Sequence, residues 1–70
     1  MKIGAVLRAA REKAGLSQQE LADRADVHRT YVSMLERDEK SPTMDVFFRL
    51  CGGLAARPHV LVKQIEQANR

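Results

Sequence analysis

The polar run His28-Arg29-Thr30-Tyr31, continued by Ser33, is the stretch of this chain best equipped for recognition. A guanidinium presents a fork of donors that matches O6 and N7 of guanine, and threonine offers both a hydroxyl and a methyl, the latter complementary to the C5-methyl of thymine. Reactive chemistry has no comparable foothold. The sequence contains no glycine-rich phosphate loop, no His-Glu-x-x-His pair and no nucleophile–base constellation. Cys51 is the only thiol and lies in an apolar stretch, where free cysteine behaves as a small buried hydrophobe. One cysteine with His28 and His59 is too few ligands for a structural zinc site. The expectation is a binding protein, not an enzyme, with no metal, cofactor or small-molecule ligand.

The elements that must position these residues are short helices. Ile3, Val6, Leu7, Ala10 and Ala14 recur at helical spacing, and Gly15 closes that helix as a left-handed cap. Ser17-Gln18-Gln19-Glu20 has the S-x-x-E form of a capping box, so a second helix starts at Ser17, turns Leu21, Ala22 and Ala25 inward and stops near Asp26. In the third segment only Val32 and Leu35 hold a core spacing, which leaves Arg29, Thr30 and Ser33 facing outward. Pro42 blocks continuation, and Thr43 caps a fourth helix containing Met44, Phe47, Phe48, Leu50, Cys51 and Leu54. Gly52 and Gly53 mark either the end of that helix or a close packing contact. Pro58 suits the first position of a fifth helix carrying Val60, Leu61, Val62 and Ile65.

Composition narrows the class. Seventy residues fit one domain, 1–70, and a chain this short buries only roughly 60% of its unfolded surface, so its stability is marginal or shared with a partner. Twelve Lys and Arg against nine Asp and Glu leave a formal +3, a modest lean toward a polyanion. No stretch reaches the roughly 18 apolar residues of a membrane span, and Arg8 interrupts any export signal, so a cytoplasmic protein is expected. The fold class is all-α, a compact five-helix bundle.

Two short helices, Ser17–Ala25 and His28–Arg37, separated by Asp26-Val27-His28, have the dimensions of a helix-turn-helix, whose second helix enters a major groove about 12 Å wide. Leu16-Ser17-Gln18-Gln19-Glu20-Leu21-Ala22, Val27, Val32-Ser33-x-Leu35-Glu36 and Ser41-Pro42-Thr43 resemble the Cro/C1-type repressors and XRE-like regulators across residues 3–61. Within them, His28 to Ser33 look most like the small controller proteins of restriction–modification systems. The resemblance implies a lambda-repressor-like fold with its helix-turn-helix at about 17–37, and a transcriptional regulator bound to double-stranded DNA. It places Ser17 and the side chain or backbone N–H of Gln18 against a phosphate at a helix N-terminus. Arg29 and Thr30 read bases, although Arg29 alternatively neutralises phosphate. His28 caps the recognition helix near the sugar-phosphate edge, Ser33 reaches a base or a phosphate, and Arg37 or Lys40 takes a phosphate. Tyr31 lies along the DNA backbone or packs over the second helix; Met34 touches a thymine methyl or fills a gap at the core margin.

In the resembling repressors the positions of Arg11 and Glu36 form an internal ion pair; the alternative is an unpartnered surface arginine. Aspartates at 26 and 38 replace glycines common in that family, and Asp38-Glu39 should point away from a phosphate backbone. One recognition helix discriminates poorly, so a homodimer on a palindromic operator is expected. The fifth helix, about 58–68, is its expected seam, through Val60, Leu61 and Ile65, with Val62 open to packing on its own core instead. The rival reading is a helical protein-interaction module, antirepressor or antitoxin-like, that has lost DNA binding; Asp38-Glu39 and the small net charge favour it.

Overall fold

A computed structural model describes all 70 residues as five helices without strands: α1 (Gly4–Lys13), α2 (Gln18–Ala25), α3 (Arg29–Glu36), α4 (Met44–Leu54) and α5 (Pro58–Ala68). Helix starts follow local chemistry. Ser17 and Thr43 accept the Glu20 and Val46 amides at 3.0 and 3.2 Å, and Pro58 occupies the opening turn of α5.

The first four helices end alike. Each passes into one residue of positive φ, and the amides of that residue and of the one after it fold back onto the helix's last carbonyls, the Schellman arrangement. Gly15 (φ 74°) does this for α1, with Leu16 N–H donating to the Arg11 carbonyl. Asp26 (φ 55°), Asp38 (φ 59°) and Ala55 (φ 53°) do it for α2, α3 and α4. Gly52 and Gly53 therefore do not end α4. Gly53 is buried inside it, where a Cβ would meet Arg24 Cβ at 3.1 Å and Leu21 Cδ1 at 3.2 Å, so the glycine lets α4 pack closely on α2.

The core is a single cluster of small aliphatic side chains. Leu21, Ala22, Val32 and Leu35 have no exposed surface, and Leu7, Leu16, Leu50, Cys51, Leu54 and Leu61 close around them. Val32 and Leu35 are the whole buried face of α3, so that helix rides on the surface of the bundle. Burial raises the Cys51 thiol, which keeps it protonated and inert. Ala14, expected on the inner stripe of α1, is exposed because the helix has already ended at Lys13.

Candidate nucleic-acid interface

The corner between α2 and α3 is held at both helix starts. The Ser17 hydroxyl accepts the Glu20 amide at 3.0 Å while the Glu20 carboxylate accepts the Ser17 amide at 2.9 Å, which holds the Glu20 carboxyl below its ordinary range. After α2, the Val27 amide donates to the Ala22 carbonyl at 3.0 Å, fixing the turn. His28 then begins α3 with its Nδ1 accepting the Thr30 amide at 3.3 Å. With Val32 and Leu35 pointing inward, Arg29 and Thr30 project into solvent and half-buried Ser33 lies one turn further along the same face.

Beneath this face lies a polar network joining α1, α2 and α3. Arg11 Nε donates to Glu36 Oε2 at 2.6 Å, Nη2 to Oε1 at 3.1 Å, and Nη1 to the Leu16 carbonyl at 2.8 Å. The two side chains are 12% and 3% exposed, so the pair is dehydrated, and the bond to Glu36 raises the Arg11 pKa further. Gln18 completes the network: its Nε2 donates to Glu36 Oε1 at 3.1 Å, and its Oε1 accepts from Arg29 Nη1 at 3.5 Å. The Gln18 side chain is thus bonded inside the protein, which leaves its backbone N–H as the other group expected against a phosphate. What α2 offers an anion is the backbone N–H groups of Gln18 and Gln19, those of Ser17 and Glu20 being taken by the capping box, and the positive end of its dipole.

The carboxylates after α3 are also accounted for. Asp38 Oδ1 accepts the Ile3 and Gly4 amides at 2.8 and 2.9 Å and so caps α1 from 34 residues away, which lowers the Asp38 pKa. Glu39 bridges Arg37 at 3.1 Å, with both side chains more than half exposed, so Arg37 is not an unpaired charge, whereas Lys40 is exposed and unbridged. The Tyr31 ring lies against the core and its hydroxyl donates to the Ser41 carbonyl at 3.5 Å. Met34, one turn further along α3, is half-buried.

The expected seam needs correction. Leu61 and Ile65, four residues apart on α5, are 3% and 7% exposed, because that face of α5 closes the protomer's own core. They have no surface left for a partner. Val60 (43%) and Val62 (51%) are the exposed apolar residues of α5, and they lie on different sides of it. Val62 joins Met44, Phe48 and Met1 around a groove of about 1000 Å³ between α4, α5 and the N-terminal segment. Sequence reasoning missed this face, although six large apolar residues in eleven on α4 exceed what one buried face holds.

A three-residue-scale turn between two capped helices, the second surface-mounted with a cationic and hydroxyl-bearing face, defines a helix-turn-helix nucleic-acid-binding domain. Comparison with known proteins agrees. A family profile described as helix-turn-helix matches residues 7–60, and the chain belongs to that family, the Cro/C1 type. It is 34% identical over 50 residues to control protein C.BamHI of Bacillus amyloliquefaciens, covering 71% of this chain and 62% of that one. It is 29% identical over 62 residues to the immunity repressor protein of Bacillus phage phi105, covering 89% of this chain and 43% of that one, so it spans about half the length of these relatives. Among solved structures, the restriction-modification controller protein C.AhdI from Aeromonas hydrophila superposes with a TM-score of 0.82 at 33% identity, over 86% of this chain and 91% of that one. No helix is long and apolar enough to cross a membrane.

Proposed function

We propose that residues 1–70 act as one cytoplasmic DNA-binding domain that regulates transcription by occupying a palindromic operator as a homodimer, in the manner of a restriction–modification controller. The observation that carries this reading is the outer face of α3: Arg29 and Thr30 are exposed, and Arg29 has no acidic partner. In the major groove Arg29 pairs with guanine, Thr30 meets a thymine methyl or a base edge, and Ser33 takes a base or phosphate oxygen. His28 and the first-turn amides of α2 meet the flanking phosphates, joined by Lys40 and, on release from Glu39, Arg37. The rival protein-interaction reading loses its main support, since Asp38 is spent on capping α1 and Glu39 on Arg37.

The dimer forms through the groove face of α4 and α5. Met44 (69% exposed), Phe48 (51%) and Val62 (51%) are too large and too clustered to be left to solvent in a chain of this size. Pairing doubles the formal charge from +3 to +6 and sets two α3 helices about 34 Å apart. Regulation then needs occupancy alone, without an enzymatic step or a small-molecule ligand. Selection of bound duplexes from a random pool tests the reading. An inverted repeat with half-sites about one helical turn apart is expected; failure to enrich any sequence overturns it.

A further inference from the structure

We propose that Asn69 is a latch that fixes the segment Met1–Ile3 as one wall of the groove receiving a second copy of the chain, an inference that rests on the placement of the dimer seam at α4 and α5. The segment precedes α1 and has no helix of its own, yet the backbone amides of Lys2, Ile3 and Gly4 are all bonded to side chains from distant parts of the chain. Its inner end is tied to α3. Ile3 and Gly4 N–H donate to Asp38 Oδ1, and a Cβ at Gly4 would collide with the Glu36 carbonyl oxygen, so glycine lets the start of α1 press on the last turn of α3. Its outer end is tied to the end of α5. Lys2 N–H donates to Asn69 Oδ1 at 2.8 Å, and Asn69 Nδ2 donates to the Lys2 carbonyl at 2.7 Å and to the Ile65 carbonyl at 2.8 Å. With two carbonyls facing Nδ2 and an N–H facing Oδ1, the orientation of the amide is set by its partners.

A carboxamide carries the donor and acceptor of a peptide unit, so Asn69 holds Lys2 as a neighbouring strand would, through the backbone alone. The wall matters for what it carries. Met1 (90% exposed) and half-buried Ile3 line the groove together with Met44, Phe48 and Val62, and Asn69 itself lies on that lining. Asp38 still caps α1 when the latch is cut, so its loss frees the wall and leaves the bundle folded. Cut from α5, Met1 and Lys2 sample many backbone states, and a partner seated on the wall has to order them again. A symmetric pair has two such walls, so the loss counts twice. If the free wall stands in place about one-third of the time, the apparent dissociation constant of the dimer rises roughly tenfold, a factor of about three from each copy.

Sedimentation equilibrium on wild type, Asn69→Ala, Asn69→Asp, Lys2→Ala and Phe48→Glu reads the dimer constant, with circular dichroism confirming helix content in each. Amide nitrogen relaxation on Phe48→Glu and Phe48→Glu/Asn69→Ala reads backbone order at Lys2 in the monomer. Asn69→Ala removes all three bonds, and Asn69→Asp keeps the acceptor for Lys2 N–H but sets a carboxylate oxygen against two carbonyls. Both should weaken the dimer by roughly tenfold, and Lys2 should lose order in the monomer once Asn69 is gone. Lys2→Ala should dimerise as wild type does, because the latch grips backbone. An Asn69→Ala dimer as tight as wild type, or Lys2 order unchanged by the loss of Asn69, overturns the proposal and leaves the seam standing. A Lys2→Ala dimer weakened as much as that of Asn69→Ala overturns it too, since the side chain and not the backbone would then be the part that counts. A wild type that stays monomeric, or a dimer that survives Phe48→Glu, removes the seam and this inference with it.

Discussion

Replacing Arg11 by methionine isolates the energetics of the buried pair. The substitution keeps most of the apolar stem of the side chain but removes the guanidinium and its three hydrogen bonds, leaving a carboxylate that is 3% exposed with Gln18 Nε2 as its one remaining donor. Removing one partner of a buried pair costs about 3–5 kcal/mol, because the other charge stays desolvated. The Leu16 carbonyl also loses the Arg11 Nη1 donor it held at 2.8 Å, about 1 kcal/mol more. A chain of 70 residues has a total stability of roughly 4–10 kcal/mol, so the single variant should lose about 40% of it or more. Arg11→Met/Glu36→Met removes both charges and should recover to within about 1–2 kcal/mol of wild type. Urea titrations followed by circular dichroism at 222 nm, at one protein concentration because association adds to stability, measure all four corners of the cycle. A single-variant cost below about 1 kcal/mol, or a double variant as unstable as the two singles combined, would show that the pair is not dehydrated and would refute the reasoning.

Three further outcomes follow from the same geometry. Ala55 holds φ 53°, a conformation that costs an L-residue about 1–2 kcal/mol, so Ala55→Gly should gain roughly 0.5–1 kcal/mol after the entropy of glycine is set against it; an unchanged or lower melting temperature would contradict this. The Asp38 pKa is lowered by the Gly4 and Ile3 amides, so its stabilisation is complete above the ordinary aspartate range, about pH 4, and fades as pH falls through the lowered value. Asp38→Asn keeps an acceptor and tolerates positive φ, so it should lose less stability than wild type between pH 5 and pH 2.5; parallel pH profiles would argue against the cap. Phe48→Glu buries a charge at the proposed seam and should yield monomers by sedimentation equilibrium, with operator affinity down by about two orders of magnitude. A persistent dimer would move the seam elsewhere.

Much of the helical framework is legible in sequence because its signals are local. Ser17 with Glu20, Thr43 after Pro42, and Pro58 each act within one turn, and α2, α4 and α5 begin where these residues stand. Helix ends are less legible. Ala55 carries no trace of a left-handed cap, and the adjacent glycines point to a different position, since Gly53 answers a packing demand from Leu21 and Arg24 on another helix. The recognition face is readable from the sparse core spacing of Val32 and Leu35, but its supports are not. Asp38 caps α1 across 34 residues, and Gln18 is turned inward by a carboxylate 18 residues away. The apolar content of α5 is visible as a sum, whereas the phase that sends Leu61 and Ile65 inward and Val62 outward depends on where the core sits.

On the proposed function, the side chains at the start of α3 read a duplex. Anisotropy titrations of wild type and Arg29→Ala/Thr30→Ala, on the selected duplex and a scrambled one between 50 and 200 mM salt, test it most directly. Wild-type affinity should fall about a thousandfold across that range for six phosphate contacts. The double variant should bind both duplexes alike, at the level wild type shows for the scrambled one. A double variant that still prefers the selected duplex as strongly as wild type does would contradict the account.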